Sequence, residues 1–148
     1  MQKGFTLFLA VVITGTLLVI AVGITALAVR QSLIAVAGRS SQIAFYAADS
    51  GLECALYWDV KNSSGVSAFD PSTGSLINCN RDASNPGNQW VVGGTSVSVF
   101  TITFLPDPRC AVVTVTKQGL NTAIESKGYN TCAVGSARKV ERAIRVHY

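Results

Sequence analysis

The N-terminal part of the chain contains a long uncharged stretch. From Phe5 to Val29 the chain runs 25 residues without a charged side chain. A helix rises about 1.5 Å per residue, so this stretch would be about 37 Å long, enough to cross a hydrocarbon core about 30 Å thick. The pattern predicts a membrane-spanning or assembly helix over residues 5–29.

A second, amphipathic pattern follows Arg30. The chain has no proline before Pro71, and apolar residues recur at spacings of three and four, which is typical of a helix with one buried side. These residues are Phe45, Ala48, Leu52, Ala55 and Leu56. We therefore expect a helical stem over residues 30–58, continuous with the first segment, so that one helix runs from about Phe5 to Trp58.

Two carboxylates lie on the other side of this stem. Asp49 and Glu53 are four residues apart and share that side with Gln42 and Tyr46. Residues four apart are neighbours on a helix surface, and paired carboxylates can perform acid–base catalysis. We interpret Asp49 and Glu53 instead as same-sign side chains on a solvated face.

The remaining residues, 59–148, predict a small head domain. Residues 62–94 are rich in Ser, Gly, Asn, Asp and Pro, with little periodicity, and predict a long connecting loop. Alternating and β-branched segments follow at 97–104, 110–118, 122–129 and 139–147, separated by Pro106-Asp107-Pro108 and by a turn at residues 119–121. The expected fold is α+β, with a four-stranded antiparallel meander over residues 97–148 packed on the stem at residues 45–56.

The four cysteines all lie beyond the uncharged stretch. Cys54, Cys79, Cys110 and Cys132 show no metal-ligand spacing, so we expect no metal site and two disulfides formed in an oxidising compartment. If the turn centres near residue 120.5, Cys110 lies opposite residue 131, beside Cys132. This favours Cys110 with Cys132 and Cys54 with Cys79, among three formal connectivities.

Net charge and the search for known motifs give little support to DNA binding or to catalysis. The formal net charge is +4, and the clustered basic residues are Arg138, Lys139, Arg142 and Arg145. This cluster is a candidate DNA-contact patch, although a solvated strand face is the favoured interpretation. The single histidine, His147, has no acidic neighbour in sequence, and no nucleotide-binding or metalloprotease motif occurs. We therefore do not expect this protein to be an enzyme, and we expect it to use no cofactor and no small-molecule substrate.

Two general interpretations of the N-terminus are a cleaved secretory signal and an uncleaved membrane anchor. Ala26 and Ala28 form an A-x-A pattern that a secretory peptidase would cut before Val29, but the apolar stretch is longer than a usual signal sequence. A plain uncleaved anchor is the other interpretation. If the uncharged stretch remains as a membrane anchor, the cysteines indicate that the C-terminal side lies outside the membrane.

The residues Lys3-Gly4-Phe5-Thr6-Leu7, directly followed by the uncharged stretch, resemble the class III signal of type IV prepilins and pseudopilins. The resemblance implies a leader of residues 1–4, cleavage after Gly4 by prepilin peptidase, and an N-methylated Phe5 at the mature terminus. The segment from Gln42 to Gly51 also resembles the stem of PilX-type minor pilins. Most major pilins have Glu at the fifth mature position, where this chain has Leu9.

The implied function is a structural subunit, a minor one, of a type IV pilus or pseudopilus. Its partners would be other pilin subunits, the assembly machinery and prepilin peptidase, and it would cross the cytoplasmic membrane once with its head outside. The alternative is a membrane-anchored module that binds a glycan or DNA without joining a filament. Trp90, Tyr57 and Trp58 would then form a stacking surface, although core packing is the favoured role of these aromatics. The sequence leaves open which filament system, such as adhesion, motility, secretion or DNA uptake, would use this subunit.

Overall fold

A computed structural model describes residues 3–61 and 65–148. The described chain forms two compact units, one ending at Gly38 and the other running from Arg39 to Tyr148. Met1 and Gln2 of the predicted leader, and residues 62–64 of the predicted loop, lie outside the described residues.

A single long helix forms the N-terminal part of the chain, as the sequence predicts. Helix α1 runs over Lys3–Leu56 and is followed by a π-helical turn at Tyr57–Lys61. The first unit contains only the part of α1 up to Gly38, while the second unit begins within α1 at Arg39. The predicted end at Trp58 falls inside the π turn.

Six strands make up the rest of the second unit. They are β1 (Gly74–Asn78), β2 (Gln89–Gly93), β3 (Val97–Thr103), β4 (Cys110–Gln118), β5 (Asn121–Tyr129) and β6 (Glu141–His147). Strands β3 to β6 form one antiparallel sheet in sequence order, and β1 pairs with β2 in a separate antiparallel hairpin. The α+β fold with a four-stranded meander on the helix is therefore confirmed.

The prediction of an unstructured loop over residues 62–94 is wrong, because this region contains β1 and β2. Each strand has only five residues, and each has two adjacent apolar residues of which one is buried and one exposed. Ile77 and Val92 enter the core, while Leu76 and Val91 remain exposed. So short a strand gives little room for an alternating pattern, and glycines and polar residues surround both strands, so the segment has the composition of a loop.

Small residues of α1 allow the helix to lie close to the sheet. Its most deeply buried residues are Ala44, Ala47, Ala48, Gly51, Leu52 and Ala55. At Gly128 of β5, a Cβ atom would overlap the carbonyl oxygen of Ala44 and the backbone nitrogen of Ala48. Phe45, which the sequence places on the buried stripe, is instead 48% exposed, and the neighbouring residue Ala44 lies at this close contact.

The hairpin between β4 and β5 turns one residue earlier than predicted. Cys110 lies opposite Tyr129, not residue 131, because Gly119 and Leu120 alone connect the paired residues Gln118 and Asn121. Gly119 has a φ of 60°, which glycine adopts at little steric cost.

Both disulfides have the connectivity that the sequence favours. Cys54 and Cys79 are bonded with their Cα atoms 6.1 Å apart, and Cys110 and Cys132 are bonded with theirs 5.8 Å apart. The backbone N–H of Cys132 donates to the carbonyl of Pro108 at 2.8 Å, which brings the segment after β5 back to the start of β4. The contact therefore brings Cys132 back beside Cys110, although the register differs by one turn position from the predicted one.

Candidate functional site

The first unit presents an uncovered apolar helix surface. Its large apolar side chains from Phe5 to Val36 are exposed along the whole length. Those more than half exposed are Phe5, Leu7, Phe8, Val11, Leu17, Leu18, Val19, Ile20, Val22, Ile24, Leu27, Val29, Leu33, Ile34 and Val36. Leu9 is 48% exposed. We call residues 5–36 the apolar surface of α1.

Three threonines within this segment, Thr14, Thr16 and Thr25, donate hydrogen bonds to the preceding helical turn. Thr14 donates to the carbonyl of Ala10 at 2.8 Å, and Thr25 donates to the carbonyl of Ala21 at 2.8 Å. A hydroxyl bonded to the preceding turn exposes no unpaired donor to hydrocarbon. The threonines are therefore compatible with an apolar environment.

The glycines of this segment leave gaps in its surface. A Cβ atom built on Gly4, Gly15, Gly23 or Gly38 would meet no heavy atom within 4 Å. Small residues let the backbone of a second helix approach closely when no hydrophobic drive operates between helices. The gaps at Gly15 and Gly23 are thus suited to helix–helix contact.

The helix is long and apolar enough to cross a membrane. One helix, Gly4–Lys61, meets this condition among the described residues, with a mean hydropathy of 2.8 in its most apolar window. Only the uncharged stretch before Arg30 is suited to the bilayer interior.

A buried ion pair, which the sequence does not indicate, fixes the C-terminal end of the stem to the sheet. The Asp59 carboxylate in the π turn lies 2.6 Å from the Nζ of Lys117 on β4. Ser67 and Tyr148 also donate hydroxyl hydrogen bonds to this carboxylate. Lys117 in turn donates to the hydroxyl of Thr122 at 2.8 Å.

The environment of Asp59 changes its titration. Burial alone would raise the pKa of the carboxyl, but the hydrogen bonds from Lys117, Ser67 and Tyr148 outweigh burial and hold the pKa below its ordinary value. Burial and the hydrogen bond to Asp59 raise the pKa of Tyr148. The partners are distant in sequence, so no local motif identifies this network.

The predicted DNA-contact residues do not form one surface. Arg142 donates from Nε to the Ser41 hydroxyl at 2.8 Å, on the side of the sheet that carries the helix. Arg145, three residues along β6, projects from the opposite face and pairs with Glu125 at 3.0 Å. Lys139 lies over the ring of Tyr129, with Nζ 4.2 Å from the ring centroid. Arg142 and Arg145 therefore lie on opposite faces of β6, and DNA contact by Arg138, Lys139, Arg142 and Arg145 stays a prediction.

The aromatics proposed as a stacking surface separate into two places. Trp90 lies against Phe100 with ring centroids 5.1 Å apart and packs on the core. Trp58 also packs against the core, and with Tyr57 it borders an open groove of about 610 Å³ beside the Cys54–Cys79 disulfide. We call this cavity the aromatic groove.

The described residues show no metal site. Within residues 3–61 and 65–148, no group of three or more His, Cys, Asp or Glu side chains has the arrangement to hold a metal ion. His147 is exposed at the end of β6.

Comparisons with known proteins give no relative. No protein-family model, no curated protein and no solved structure matches the chain.

Proposed function

We propose that this chain is a structural subunit of a type IV pilus or pseudopilus, a minor one, that enters the filament through α1. The observation that carries the proposal is the apolar surface of α1, uncovered from Phe5 to Val36 and directly preceded by Gly4. Burial of apolar area stabilises by about 25 cal/mol per Å², so such a surface needs lipid or other apolar helices to cover it. A filament subunit would have this surface covered by lipid before assembly and by neighbouring helices after assembly.

The second unit has its own core. Phe69, Ile77, Phe100, Ile102 and Ile124 are almost completely buried within residues 39–148. The apolar residues before Gly38 are thus not explained by folding of the head. This supports a role of the N-terminal part of α1 in assembly.

Leu9 supports a minor role. In the family the usual glutamate at this position pairs with the terminal amine of a neighbouring subunit. A carboxylate in the bilayer costs about 2.5–3.5 kcal/mol of insertion, so Leu9 removes that cost together with the pairing. Packing of apolar side chains and of the surface around Gly15 and Gly23 would then position the subunit.

The proposed location is the cytoplasmic membrane, crossed once, with the head outside. The two disulfides suit an oxidising compartment, and both lie in the second unit. The proposed partners are prepilin peptidase, other pilin subunits and the pilus assembly machinery.

Processing provides a direct test. The full chain would be expressed in membranes with and without a prepilin peptidase, and its intact mass measured. We expect a chain that begins at Phe5 only when the peptidase is present. Gly4→Val should block this cleavage and Gly15→Val should not, although both glycines have open space around them. Equal processing of the two variants, or none of the wild type, would contradict the proposal.

The aromatic groove favours a second candidate function, an anchored extracytoplasmic binding module. In that case the chain would retain Met1, remain in the membrane as single subunits, and bind its ligand equally well without residues 1–29. A filament subunit that lacks those residues would lose assembly altogether. The two functions are therefore separated by whether the N-terminal helix is required.

A further inference from the structure

The aromatic groove combines aromatic rings with a single negative charge. Tyr57 and Trp58 both line the groove, and their rings meet edge to face with centroids 5.5 Å apart and ring planes at 86°. Phe104 adds a third ring to the lining. Trp58 is held in place because its indole N–H donates to the carbonyl of Asn78 at 3.0 Å.

Glu53 supplies the charge. It lies one helical turn before Tyr57 and lines the same groove, and its side chain is in no salt bridge with another described residue. The described residues that line the groove include no Lys or Arg. Among the described residues that line the groove, Glu53 is therefore the one that carries a charge.

This combination is complementary to an organic cation. The faces of aromatic rings attract cations through their quadrupole, and the attraction increases when several rings and a carboxylate surround the cation. The chain already shows such a contact at the edge of this region, where the Arg109 guanidinium lies 5.2 Å from the ring centroid of Phe104. A neutral ligand would use the rings but not the charge of Glu53.

The groove is also larger than one ammonium group requires. Its volume of about 610 Å³ falls in the range of sites for small molecules. Ser50, Asn78 and Asn80 add polar residues to the lining. A ligand with a cationic group and a polar remainder would use both parts.

We propose that the aromatic groove binds a small organic cation, with an ammonium group against the aromatic lining formed by Tyr57 and Trp58 and close to the Glu53 carboxylate. The inference does not depend on filament assembly, since every lining residue lies in the second unit.

The test compares choline with 3,3-dimethylbutan-1-ol, a neutral molecule of the same shape. Binding of each to the full-length protein would be followed by saturation-transfer NMR at matched ionic strength. A polyoxyethylene detergent is suitable because it carries neither an ammonium group nor a sugar. We expect choline to bind about tenfold more tightly than the neutral alcohol, in line with cation–π attraction at a partly desolvated site.

Variants identify the site. Glu53→Gln keeps the shape of the side chain and should weaken choline binding about fivefold while leaving the neutral alcohol unchanged. Asp49→Asn removes the same charge one turn earlier, outside the lining, and should bind choline like the wild type. Tyr57→Leu keeps an apolar side chain without the ring and should reduce the preference for choline.

Three results would overturn the proposal. They are equal affinity for choline and the neutral alcohol, equal weakening by Glu53→Gln and Asp49→Asn, and no saturable binding of choline. Tighter binding of a neutral sugar such as N-acetylglucosamine than of choline would also contradict it and would assign the groove to saccharides.

Discussion

The ammonium group of Lys117 contacts both carboxylate oxygens of Asp59, with Nζ 2.6 Å from Oδ1 and 2.9 Å from Oδ2. The Asp59 side chain is only 2% exposed and that of Lys117 only 14%. The pair joins the turn after α1 to β4, across 58 residues of sequence. It is the most buried ion pair among the described residues.

Loss of Lys117 should therefore destabilise the head strongly. Lys117→Met leaves the Asp59 carboxylate buried without its cation, which costs about 3–5 kcal/mol of unfolding free energy. The measurement is urea unfolding of the full chain in detergent, followed by tryptophan fluorescence. Lys127→Met is the matched control, because Lys127 is 3.9 Å from Glu125 on an exposed face, where a pair contributes about 1 kcal/mol or less. Equal destabilisation by the two variants would contradict this assignment.

Acid should weaken the same network. The folded-state pKa of Asp59 lies below its ordinary value of 3.8, so the folded protein binds this proton less readily than the unfolded chain. Its stabilising contribution is then complete above about pH 5 and decreases as the pH falls through 3.8 towards the folded-state pKa. The difference in unfolding free energy between wild type and Asp59→Asn should shrink over this interval. A difference that stays constant from pH 6 to pH 3 would disprove the role given to Asp59.

Gly128 should not tolerate a methyl group. In Gly128→Ala the new Cβ would overlap backbone atoms of Ala44 and Ala48, so the helix would have to move away from β5. We expect a loss of about 1–3 kcal/mol or more in unfolding free energy. Gly87→Ala, where the added atom meets nothing within 4 Å, should change stability by less than about 0.5 kcal/mol. Similar behaviour of the two variants would mean that the helix does not approach the sheet this closely.

The two disulfides should contribute similarly to stability. They close loops of 25 and 22 residues, and chain-entropy arguments give about 2–4 kcal/mol for each. The double variants Cys54→Ala/Cys79→Ala and Cys110→Ala/Cys132→Ala remove one bond each without leaving a free thiol. Thermal unfolding should show comparable decreases in Tm. An unchanged Tm in either double variant would show that its bond contributes nothing to the folded head.

The meander was predictable from sequence because its inner face alternates clearly. Phe100 and Ile102 on β3, and Val113 and Val115 on β4, are buried at every second position. The same regularity makes the strand boundaries nearly correct. The register was less certain, since it depends on whether the turn at Gly119 contains two or three residues.

Features that depend on close packing or distant partners were not predictable. The predicted buried stripe wrongly included Phe45, whereas the helix residues that meet Gly128 are Ala44 and Ala48. Asp59 meets Lys117 and Tyr148 only in the folded chain. The aromatic groove likewise depends on the Cys54–Cys79 region bringing the stem beside β1.

The motif at Gly4 and Phe5 makes the central claim testable by one measurement. Filaments would be sheared from cells that produce this protein, and the chain in that fraction identified by intact mass and N-terminal sequencing. The account predicts a chain in the filament fraction that begins at Phe5 and is heavier by one methyl group. A chain found only in the membrane with Met1 intact, or released with Val29 at its N-terminus, would contradict it.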